Sequence, residues 1–219
     1  MPKSKRQSEA STLEAYRVAL ENVTSQKQIS MAMFKLGYDD SVIMEGKNLL
    51  EETLKKYQGK KTEYAERSAA YDYFTSLWNE LEKVYSKHRK KVKVIFRNES
   101  ATLEKLSVDT PAPETFVNWI QSVKGFYNEL ISDPELQKRV LRLRITSTEI
   151  QNSLGLIEKL EQSRANYMRE KGESQDATQL KDRAFAKIDD WMMDFYAVAR
   201  IALEDNPQLL EALNKTVKA

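Results

Sequence analysis

The chain has 219 residues, enough for one sizeable core or two small ones, and its 35 Lys+Arg against 33 Asp+Glu leave a formal charge of +2. That near-balance argues against a dedicated nucleic-acid binder. The absence of cysteine removes disulfides, thiolate metal sites and cysteine nucleophiles, and the single histidine, His88, would have to carry any imidazole chemistry alone. No apolar run approaches the roughly 18 to 20 residues that span a bilayer, and the basic, polar start lacks the hydrophobic stretch of a secretory signal. The expectation is a cytoplasmic protein without membrane association.

Residues 1–10 read as a disordered leader, rich in Lys and Ser without periodicity. A first helix is expected from Ser11, which has capping-box spacing to Glu14, to a stop at Gly37. Its apolar residues keep helical spacing with a polar interruption from Thr24 to Gln28. Asp39 or Asp40 can cap a second helix, and Gly59, followed by polar residues, reads as its stop, with a hairpin into a third helix that ends near Arg97, although the seven-residue frame runs back from Tyr57 to Leu50 and Ile43 and also allows one very long helix. That third helix carries the main pattern of the chain. Tyr57, Tyr64, Tyr71, Trp78, Tyr85 and Val92 recur every seventh residue, and Phe74, Leu81, His88 and Ile95 lie three residues after four of them. On a helix both sets share one face.

Residues 98–113 end in Asp109, Thr110, Pro111, Ala112 and Pro113, where helix is disfavoured before each proline, and read as a linker. A helix follows from Glu114 to Ile131, with Phe116, Trp119, Ile120, Val123, Phe126, Tyr127 and Leu130 on one face. Asp133 and Pro134 start the next helix as cap and first residue, and Thr146 with Glu149 caps a further one. Gly172 is expected to break the chain again before a last long helix, in which Phe185, Ile188, Trp191, Phe195 and Val198 repeat the pattern of Tyr71, Phe74, Leu77, Leu81 and Val84. Asn206 and Pro207 precede a short terminal helix. The fold class is therefore all-α: an elongated bundle of two related three-helix units with up-and-down connectivity, residues 11–97 and 114–219.

The candidate chemistry is sparse. His88 shares a face with Leu81 and Ile95, so it reads as a core-edge imidazole. A di-metal carboxylate site needs Glu-x-x-His turns, and the residue three before His88 is Tyr85. The adjacent pairs Asp39/Asp40, Glu51/Glu52 and Asp189/Asp190 project about 100° apart on a helix and do not converge on a substrate. The glycines are scattered singly and make no phosphate-binding fingerprint. Two surfaces remain. Lys87, Arg89, Lys90, Lys91, Lys93 and Arg97 form the densest basic run, a candidate contact for an anion or a partner. Tyr64, Tyr71, Trp78 and Trp191 are candidates to line a ligand cavity.

The segment Phe185 to Lys215 (FAKIDDWMMDFYAVARIALEDNPQLLEALNK), read with Gly172 to Asp176 before it, resembles the tail of uncharacterised bacterial helical proteins. The resemblance implies a helical fold and a bacterial origin, and it transfers no site. The expected function is a non-enzymatic interaction or scaffold protein with a protein partner and no cofactor or metal. The alternatives are a small apolar or aromatic ligand in a Tyr/Trp-lined cavity, or weak anion contact through residues 87–97, with nucleic acid disfavoured.

Overall fold

A computed structural model describes residues 8–215. It is 84% helical, and no strand occurs among the described residues, so the protein is all-α. The helices are α1 (Glu9–Ser25), α2 (Lys27–Lys35), α3 (Asp40–Ile95), α4 (Ser100–Lys105), α5 (Phe116–Ser132), α6 (Pro134–Val140), α7 (Ser147–Ala202) and α8 (Leu209–Ala212), with a 3-10 turn at Leu141–Leu143 after α6.

The first helix begins earlier than its capping box suggests, because Ser8 is the cap and its Oγ accepts from Ser11 N. The disordered leader thus falls on residues 1–7, outside the described residues, and on 8–10, which cap and open α1. The polar interruption at Thr24–Gln28 becomes the break between α1 and α2. Gly37 ends α2 at φ 86°, a conformation that costs glycine nothing. Asp39 then caps α3, its Oδ1 accepting from Ser41 N and Val42 N at 3.0 Å. Farther on, Asp133 Oδ1 accepts from Glu135 N and Leu136 N, and the Thr146–Glu149 box closes in both directions.

The expected breaks at Gly59 and Gly172 do not occur, since α3 and α7 are each 56 residues long and run straight through them. A glycine stops a helix by entering the left-handed region, and Gly37 alone among the described glycines does so. In a helix interior glycine costs only about 1 kcal/mol relative to alanine, which helix-forming neighbours such as Lys55, Lys56, Lys60 and Lys61 tolerate.

Two compact units result, and the boundary between them falls within both long helices. Among the described residues, the first takes 8–64 together with 173–215, and the second is Ala65–Gly172. Residues 98–113 are therefore part of the second unit, where Leu106 and Val108 are buried in its core. Each unit has its own apolar interior. The first is built on Leu20, Ile29, Met33, Ile188, Met192 and Phe195, the second on Leu81, Tyr85, Phe96, Phe126, Tyr127 and Leu130.

Candidate functional site

The four aromatic candidates are divided between the two units, Tyr64 and Trp191 in the first and Tyr71 and Trp78 in the second. Trp78 packs in the core of the second unit, in ring contact with Phe116 at 5.0 Å, Phe74 at 5.7 Å and Trp119 at 5.7 Å. Trp191 belongs to the core of the first unit, stacked on Phe195 at 5.5 Å and 16° with the edge of Tyr38 at 6.0 Å. Tyr64 and Tyr71 are 55% and 49% exposed, although the heptad puts them in line with buried Tyr85. An α-helix drifts about 20° per seven residues, so Tyr71, two heptads before Tyr85, no longer shares its line.

His88 is buried with Nδ1 2.9 Å from the Tyr127 hydroxyl. Burial lowers its pKa, Glu149 pulls it back up and Lys91 adds to the lowering. The hydroxyl of Tyr127 is pushed above the usual phenol range, chiefly by burial, with Ser153 opposing. Ser153 itself donates to the Glu149 carbonyl at 2.8 Å. The arrangement satisfies buried polar atoms, and its serine hydroxyl is already spent on the backbone.

The basic run divides in two. Arg89 points inward and is 8% exposed, donating to the Tyr85 hydroxyl at 3.0 Å, the Ser107 carbonyl at 3.0 Å and the Thr110 carbonyl at 2.5 Å. It is a clamp on the segment after α4 and drops out as a partner contact. Lys91 is half-buried, whereas Lys87, Lys90, Lys93 and Arg97 are exposed. At 100° per residue, Lys87, Lys90 and Lys93 share one face with Val94, which is 65% exposed, and Arg97 continues that face into the turn after α3.

The fold adds residues to this face that the spacing of α3 does not reveal. A groove of about 380 Å³ is lined by Val94, Ile95, Arg97 and Asn98 from the end of α3 and by Arg142 and Leu143 from the 3-10 turn. Arg144, at φ 56° and ψ 43°, closes that turn in the left-handed region, and Ile145 can then enter the core. The one carboxylate in the groove, Glu99, is occupied: Arg139 Nη1 donates to its Oε2 at 2.8 Å, Nη2 donates to Oε1, and the guanidinium lies 4.3 Å from the Phe96 ring centre. The Arg139 guanidinium holds the Glu99 carboxyl below its usual range. Among the described residues, no ion pair engages Lys90, Lys93, Arg97, Arg142 or Arg144.

Other hollows are less organised. An open groove of about 530 Å³ is lined by Glu80, Val84, Glu149, Asn152, Ser153, Gly155, Leu156 and Lys159, mixing charges of both signs without a common focus. No helix among the described residues is long and apolar enough to cross a membrane. Comparison with protein-family models, curated proteins and solved structures finds no match.

Proposed function

We propose that the protein is a non-enzymatic interaction or scaffold protein whose helical faces bind protein partners. The observation that carries this reading is the surface of α2. This nine-residue helix buries Ile29 and Met33 and leaves Met31 and Phe34 largely exposed, with Leu36 exposed immediately after it. Met31 and Phe34 are neighbours on the helix surface, and Phe34 is 65% exposed. Large apolar side chains held together by a short, well-packed helix suit the apolar centre of a protein interface. The internal repeat belongs to the same proposal. Phe74 with Ile188 and Leu81 with Phe195 are buried in their respective cores, Val84 and Val198 are half-buried, and Tyr71 departs from the pattern by its exposure.

The test is affinity capture from the native cell with the parent chain and a Met31→Ser/Phe34→Ser variant. Both positions are exposed, so the variant should fold and melt like the parent. A protein enriched with the parent and lost with the variant supports the reading. Identical captures overturn it.

A further inference from the structure

We infer that the basic face at the end of α3 is a docking surface for an anionic phospholipid bilayer. Three features of the site converge on that occupant. Lys90, Lys93, Arg97, Arg142 and Arg144 carry no ion pair among the described residues, and the one groove carboxylate is neutralised by Arg139. The cations come from two elements, the end of α3 and the turn after α6, so they are spread over a surface and not focused on one point. Exposed aliphatic side chains sit among them. Val94 is flanked by Lys90 and Lys93 on α3 and by Arg97 in the turn after it, and Leu141 and Leu143 flank Arg142.

An isolated soluble phosphate would engage Arg97 and Arg142 and leave Val94 and Leu143 in water. A nucleic-acid backbone would do the same, and neither aliphatic residue can read a base. A bilayer surface satisfies both kinds of side chain at once. Lys and Arg meet headgroup phosphates, and the aliphatic residues between them enter the boundary of the acyl region. The Arg97/Arg142 groove, with the Asn98 amide at its side, offers the planar donor edges that suit a phosphate oxygen pair. Attachment of this kind is peripheral and reversible, and it involves none of the long helices crossing the membrane.

The experiment is co-sedimentation of the full chain with vesicles of phosphatidylcholine alone and of phosphatidylcholine with one quarter phosphatidylglycerol. The parent should bind the second and not the first, and raised salt should release it. A cation close to an anionic surface strengthens binding about fivefold, so Arg97→Gln/Arg142→Gln should weaken it about 25-fold. Val94→Ser/Leu143→Ser, which keeps every charge, should weaken it several-fold, and millimolar inorganic phosphate should not compete. The variants change surface positions, and an unchanged circular-dichroism melt certifies the fold of each. Failure of the parent to bind anionic vesicles overturns the inference, as does binding indifferent to either variant. Tighter binding to a duplex DNA oligomer or to polyglutamate, unaffected by the serine pair, also overturns it and assigns the cations to a soluble polyanion.

Discussion

Replacing Gly46 by alanine should destabilise the first unit, although the substitution lies within a helix where alanine is intrinsically favoured. A Cβ on Gly46 would fall 2.4, 2.6 and 2.7 Å from Cη2, Cζ3 and Cζ2 of Trp191. Carbon atoms prefer separations of about 3.5 to 4.0 Å, so the indole would have to retreat by roughly 1 Å. It has little room, being stacked on Phe195 and edged by Tyr38. Helix propensity returns about 1 kcal/mol, while overpacking a well-filled core costs about 1 to 3 kcal/mol. With three atoms of a rigid ring in conflict the upper part of that range applies, leaving a net loss of about 1 to 2 kcal/mol. Gly59→Ala is the control, because nothing lies within 4 Å of its new Cβ. It gains the same propensity without the clash and should stabilise by up to about 1 kcal/mol. The two variants should therefore move in opposite directions in urea unfolding. For a chain of this length each kcal/mol is worth about 2 to 4 °C in a melt. Trp191 is the tryptophan of the first unit, so a Trp78→Phe/Trp119→Phe background makes its fluorescence report that unit. A Gly46→Ala chain as stable as Gly59→Ala would show that the indole is not seated against α3.

Phe126→Ala should cost about 3 to 5 kcal/mol in urea unfolding, since the ring is fully buried against Tyr85 and Tyr127. Arg89→Met should cost about 2 to 3 kcal/mol, because it leaves the Ser107 and Thr110 carbonyls without their charged donor, and proteolysis should then cut first in residues 107–113. By contrast, Lys87→Gln, Lys90→Gln and Lys93→Gln together should change stability by no more than about 0.5 kcal/mol each, as expected of exposed side chains. Stability should also fall as pH drops below His88's unperturbed 6.5. Above that value the imidazole is neutral in both states and contributes no slope. Below it the unfolded chain takes the proton first, because burial lowers the folded pKa, so stability is lost between 6.5 and the folded value. Comparing urea midpoints at two pH values in the parent and in His88→Gln isolates this contribution, which should be absent from the variant.

Local chemistry made much of the fold legible in the residues themselves. Gly37, the Asp133–Pro134 step and the Thr146–Glu149 box act through atoms at most a few positions away, so their spacing alone placed those helix ends, while at Asp39 and Asp40 it left two candidate caps of which the structure uses Asp39. Residues such as Phe74, Leu81, Ile188 and Phe195 declared themselves core by helical period. Other features depended on what the helices meet in space. Gly59 and Gly172 looked like stops because they precede polar residues, yet glycine ends a helix by taking the left-handed conformation, and neither glycine adopts it. Tyr64 and Tyr71 followed the heptad of the core, yet both are exposed, because a seven-residue repeat does not hold one face of a 3.6-residue helix. Arg89 was indistinguishable from its basic neighbours until carbonyls 18 and 21 residues further along the chain drew it inside. Arg142 had no sequence link to the basic run and joins it across the groove at the end of α3. Short-range hydrogen bonding and periodicity are written in the order of residues, whereas burial of a charge and convergence of cations depend on distances that only packing sets.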